Sequence, residues 1–150
     1  MKLRIHHFFD IIRDLGSGKE ITPHPYGHAY HTVAEKILNE PGLEYKLVEC
    51  SDAICSGCTH LVNGICDDVI THRSDFESKE AFNNHLDNRI MSVCGFLENK
   101  TYSPRLLCKL AQRYLDNIGY IYEGNDELHT KARKASVEKG LRFYAEKHMV

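Results

Sequence analysis

The sequence predicts a mainly α fold: a compact helical domain of about five helices, with a cysteine-rich loop and at most one or two short strands. Three observations carry that expectation. Apolar residues recur at spacings of three and four in separate segments. Start and stop signals for helices bracket most of those segments. The one long stretch without a period, residues 50–66, holds four of the six cysteines.

Ile5, Phe8, Phe9, Ile12 and Leu15 describe a first short helix, which Gly16 and Gly18 would end. Residues 16–27 hold three Gly and two Pro and read as a loop. Tyr30, Val33, Ala34, Ile37 and Leu38 mark a second helix, closed by Pro41-Gly42. Residues 44–49 alternate imperfectly and read as a short strand. Beyond the cysteines, Ser74 and Glu77 form a plausible S-x-x-E capping box. Phe82, Leu86, Ile90, Val93 and Leu97 follow at helical spacing. Ser103-Pro104 is a cap followed by proline in the first turn. Leu106, Leu107, Leu110, Ala111, Tyr114, Leu115 and Ile118 continue that helix to Gly119, the expected residue just past its end. Asn125 or Asp126 would cap a last helix, with Leu128, Ala132, Ala135, Leu141 and Tyr144 on its buried side. The basic run from Lys131 to Lys134 reads as that helix's wet face.

With 150 residues, one domain spanning 1–150 is expected, long enough to bury a core. Nineteen Lys and Arg stand against 21 Asp and Glu, so a nucleic-acid partner held through phosphates is not expected. No run of 18 apolar residues exists, so no membrane span is expected, and residues 1–18 lack the apolar run of a signal peptide. The expected compartment is the cytoplasm. Cysteines there stay reduced, and clustered ones bind metal or do redox chemistry.

The cysteines run Cys50-x4-Cys55-x2-Cys58-x7-Cys66. In a C-x2-C pair the chain turns so that both thiolates face one point. Gly57 and Gly64 supply the backbone angles such a wrap needs. Thiolates gathered this closely repel one another unless a metal centre neutralises them. Cys50, Cys55, Cys58 and Cys66 are therefore the candidate metal ligands. Structural zinc usually shows two clamps, whereas one clamp with a single cysteine on each side suits an iron–sulfur cluster better. The first three cysteines match the opening of plant-type ferredoxins. The span resembles the iron–sulfur loop of some helical DNA-repair glycosylases, although no basic stripe accompanies it here. Two plainer readings compete. One is a thiol–disulfide site at C-S-G-C, but that motif should open a helix, and Thr59 to Gly64 reads as a turn. The other is unreactive thiols, which suits Cys94 and Cys108 on apolar helix faces.

His6 and His7 follow Arg4. Neighbours on a helix point about 100° apart, so only one is expected to join a given site; the plainer reading is a capping or core histidine.

The opening L-R-I-H-H-F-F-D, the stretch from Tyr26-Gly27 to Ile37, and V-E-C-S-D-A-I-C-S-G-C with N-G-I-C together resemble a small prokaryotic family. That family is designated domain of unknown function twelve eighty-four, and its members are suggested to bind iron–sulfur. The resemblance covers about residues 2–66. It places Arg4, His6 and His7 on the family's opening motif, and Asp52, Cys55, Cys58 and Cys66 on its central one. The family's cysteine after the double His falls on Asp10, its proline after the clamp on Thr59, and Cys50 stands where a non-cysteine is expected. The resemblance thus implies either that the fourth thiolate has moved from position 10 to 50, or that His7 or Asp10 completes the site. It also implies that the first helix packs against the cysteine loop. His6 and His7 are then cofactor-binding candidates, as direct ligands or as N–H donors to a sulfur.

His24, His28 and His31, near Tyr26 and Tyr30, could line a pocket or hold a second metal. No carboxylate accompanies them at ligand spacing, which favours a solvated loop. No phosphate-binding or nucleophile-elbow glycine motif is present. The expected functions are an iron–sulfur protein in electron transfer or redox sensing, with a redox partner protein; a zinc-stabilised binding module; or a metal-dependent enzyme with an open coordination position.

Overall fold

The computed structural model describes residues 1–149. The chain runs β1 (Lys2–Leu3), α1 (Ile5–Ser17), α2 (Tyr30–Asn39), β2 (Tyr45–Leu47), a 3₁₀ turn (Ala53–Cys55), β3 (Leu61–Val62) and β4 (Ile65–Cys66). Then follow α3 (Lys79–Cys94), β5 (Thr101–Tyr102), α4 (Pro104–Leu110), α5 (Gln112–Asp116), α6 (Ile118–Ile121) and α7 (Glu127–His148). With 54% of residues helical, the mainly α expectation holds.

α1 runs through the core. Its Ile5, Phe8, Phe9, Ile11 and Ile12 are buried, and Phe9 stacks on Tyr114 of α5 at 3.7 Å between ring centroids. α7 crosses α1 backbone to backbone at two glycines. A Cβ on Gly16 would collide with the Ser136 carbonyl oxygen, and one on Gly140 with that of Ile12. Gly16 therefore does not end α1, as the sequence suggested; it lets α7 approach. The stop is Gly18 alone, at φ 72°, a left-handed cap that glycine adopts without cost.

The small sheet sets the position of the α1 N-terminus. β1 pairs parallel with β2, which pairs antiparallel with β5. Leu3 and Leu47 stand side by side in the core. The chain leaves β1 through Arg4 straight into α1, which delivers Arg4, His6 and His7 to one end of the molecule.

Several expectations need correction. Among the described residues there are five short strands, where at most one or two were expected. The added ones include the hairpin β3–β4, which turns on Asn63-Gly64, both at positive φ. Among the described residues seven helices stand where about five were expected, because the segment from Ser103 onward is broken into α4, α5 and α6. At Ala111 a bond to the Cys108 carbonyl tightens the chain, and the bend keeps Leu107, Ala111, Tyr114, Ile118 and Ile121 on the core. Gly119 lies inside α6 rather than past a helix end. α3 is capped by Ser78, whose hydroxyl accepts the Ala81 N–H, so Ser74 and Glu77 are not its capping box. The caps at Ser103 and Asp126 are as expected. Leu97, Leu106, Leu110 and Leu128 are exposed, and so are Ala132 and Ala135. The inner face of α7 holds Tyr144 and, half-buried, Leu141, as expected, together with Arg133, Val137 and Gly140, so Arg133 is not part of a wet face. A glycine and a charged residue interrupt the apolar stripe there because α7 packs backbone-close on α1.

Candidate functional site: a thiol- and imidazole-lined cavity

At the α1 N-terminus a cavity of about 500 Å³ opens between the cysteine loop, the 24–30 loop and the start of α3. Its wall includes Cys55, Cys58 and Cys66 together with His6, His7 and Asp10. Cys50 is exposed and is not part of that wall. Of the four candidate cysteines and the two histidines, five thus meet at one cavity. Cys94 is buried in the core and Cys108 lies against it, and burial pushes both thiols up to about 12.

Asp52 organises the cysteine loop. One of its oxygens accepts the Ile54 N–H at 3.0 Å, capping the 3₁₀ turn, and takes the Cys55 thiol at 3.6 Å. The other accepts the Arg4 N–H at 2.7 Å and lies 2.8 Å from His7 Nδ1. Cys58 Sγ accepts the His60 N–H at 3.4 Å, so a backbone donor points at a clamp sulfur. Burial, reinforced by the Asp52 carboxylate, pushes the Cys55 thiol up to about 11, and burial also raises Cys66.

Each histidine of the pair is tethered through Nδ1 to its own buried carboxylate: His6 to Asp87 at 2.7 Å, His7 to Asp52 at 2.8 Å. The helical offset separates their carboxylates, while both rings, 4.2 Å apart, face the same cavity. Burial opposes the charging of His7, but Asp52 outweighs it and His7 is raised. Burial likewise opposes ionisation of Asp52, but His7 and the Arg4 N–H hold it down at about 2. With Nδ1–H donated to a carboxylate, each neutral ring has a lone pair on Nε2. That tether fixes the orientation of each ring.

Arg4, 1% exposed, closes the back of the site. Its guanidinium reaches Asp87 at 2.9 Å, Glu80 at 2.6 Å and Asn84 at 3.0 Å. Asp87 is wholly buried, and Arg4 and His6 hold its carboxyl below the ordinary range against the cost of burial. Asp87 and Glu80 are the functional residues that sequence reasoning missed. The signal for Asp87 was its position, one residue after Leu86 and three before Ile90, a charge on an apolar helix face.

The 24–30 loop is stitched to the clamp. Ala29 N–H donates to the Ile54 carbonyl at 2.8 Å, and Thr59 N–H to that of Tyr26 at 2.8 Å. Gly27 and Gly57, both at φ 77°, meet face to face, so that a Cβ on either would lie 2.8 Å from the other's carbonyl oxygen. His24, exposed, and His28, half-buried, thus lie in a solvated loop, as expected, and that loop forms part of the cavity rim, while His31 is not part of the wall.

Among the described residues no three His, Cys, Asp or Glu side chains already stand in ligand geometry around one point. Nor is any described helix long and apolar enough to cross a membrane. The class the structure defines is a mainly α protein with thiols and carboxylate-tethered imidazoles on one cavity wall. No family model, curated protein or solved structure matches the chain.

Proposed function

We propose that this is a metal-binding protein whose centre is held by Cys55, Cys58 and Cys66, with His6 or His7 assisting, and that the centre is an iron–sulfur cluster used in electron transfer or redox sensing. The observation that carries this reading is the shared wall: the clamp, the hairpin cysteine and two oriented imidazoles face one cavity. The cavity has room for a cluster rather than a single bare ion, and one clamp with a separate third cysteine suits cluster ligation. The motif resemblance of residues 2–66 points the same way. Binding would displace the thiol protons and the Cys55–Asp52 contact, drawing the sulfurs together. A redox partner protein belongs to this reading.

A second reading, zinc held by three thiolates and one imidazole, is favoured by the carboxylate–imidazole tethers, which are typical of metal-ligating histidines. Purification without air separates the two. A brown protein with stoichiometric iron and acid-labile sulfide supports the cluster. A colourless protein with stoichiometric zinc supports the second reading. Uptake of no metal overturns both. Cys58→Ser abolishes metal retention, whereas Cys50→Ser keeps it; loss of metal in Cys50→Ser would restore the exposed cysteine as a ligand.

A further inference from the structure

The cavity holds more than thiols. A volume of about 500 Å³ is that of a small-molecule site, and on the rest of its wall polar side chains stand among apolar ones such as Ile54, Ile70 and Phe82. Every carboxylate on that wall already has a cation. Asp10 is held by Arg133 at 2.7 Å and Arg13 at 3.2 Å, Asp68 by Lys79 at 3.1 Å, and Glu80 by Arg4 at 2.6 Å. Two sets of donors, by contrast, are unspent.

The first is the rim pair His24 and His28. His24 Nδ1 accepts the Tyr26 N–H at 3.1 Å, and His28 Nδ1 accepts the Tyr30 N–H at 3.4 Å. A ring whose Nδ1 accepts a hydrogen bond carries its proton on Nε2, so each ring offers an N–H donor at the rim. The rings stack with centroids 4.3 Å apart, so the two donors are presented together. The second set is on Arg133. Its Nη1 is given to Asp10, while Nε and Nη2 have no protein partner among the described residues. The Tyr122 ring, 4.6 Å away, supports the guanidinium.

Two donor sets on one cavity wall, with no carboxylate free to repel an anion, define a ligand class. We propose that the cavity binds a small organic dicarboxylate, one carboxylate on the Nε2–H groups of His24 and His28 and the other on Arg133. This site uses no cysteine and goes beyond the metal reading.

The test is calorimetric titration of oxalate, malonate, succinate and glutarate into the protein as purified, with metal content measured in the same sample. At least one dicarboxylate is expected to bind, and the best chain length reports the span between the donor sets. Acetate is expected to bind at least about tenfold more weakly, since it engages one set only. His28→Phe keeps a ring to stack on His24 but removes the donor; Arg133→Lys keeps the charge near Asp10 but removes the planar fork. Each is expected to weaken binding about tenfold. Cys58→Ser, expected to abolish metal retention if the metal reading holds, is expected to leave dicarboxylate binding unchanged, so loss of metal and loss of the anion are read separately. No binding by any of the four acids overturns the proposal, as does equal affinity in the wild type and both rim variants.

Discussion

At the scale of single residues, the buried charges decide the local structure. Asp87 accepts from Arg4, from the His6 backbone and from the His6 ring, and it is wholly buried. Asp87→Asn leaves the Arg4 charge in the interior short of its main partner. It is expected to cost ~3 kcal/mol or more in urea unfolding, because breaking one side of a buried pair strands the other. Asp10 makes a prediction in pH. Burial opposes its ionisation, but Arg133 and Arg13 hold its carboxyl far below the ordinary range. Its stabilising effect is therefore fully present above the unfolded-state value near 4 and is lost as pH falls toward its folded value. Asp10→Asn is expected to flatten the acid limb of stability against pH by ~1–2 kcal/mol, read by urea titrations between pH 2 and 5. Cys55, Cys58, Cys66 and the two histidines were legible in the sequence because thiol spacing and a double His are local patterns. Asp87, 81 residues from His6, was not, because its partners are supplied by the tertiary fold.

At the scale of elements, periodicity found the helices and misjudged some of their faces. It reads α1 and α2 well because their inner faces are apolar. It fails on α7, where Gly140 is inside and Leu128 outside. Close backbone packing selects the absence of a side chain, and hydropathy does not register that. Gly140→Ala must push α7 off the Ile12 carbonyl and is expected to cost ~2–3 kcal/mol. Gly119→Ala, within a helix and with nothing nearby, is expected to be neutral or to stabilise by ~0.5–1 kcal/mol. Thermal melts of the two variants check the contrast. The caps give a second contrast. Ser78→Ala is expected to lose ~1 kcal/mol, while Ser74→Ala, which caps nothing, leaves stability unchanged. The β3–β4 hairpin went unread although Asn63-Gly64 between Leu61-Val62 and Ile65-Cys66 is a strong turn signal; the cysteines drew that segment into the reading of a loop.

At the scale of the whole molecule, the core and the site are built differently. The core is α1 packed between α3, α5 and α7, with the small sheet at one end. Between residues 50 and 72 only Ile54 is a buried apolar side chain. Metal removal is therefore expected to leave the far-ultraviolet dichroism of the helices intact while amide hydrogen exchange speeds up across residues 50–72. A global collapse on chelation would mean that the ion, not apolar burial, holds the fold. The paired glycines 27 and 57 extend this argument. Two chain segments touch there without any side chain between them, and two amide–carbonyl bonds clamp them on either side of the contact. Such a joint has no slack. Whatever tugs on the sulfurs must tow the imidazole-bearing strip along, so a change at one end of the chamber alters the shape of its doorway.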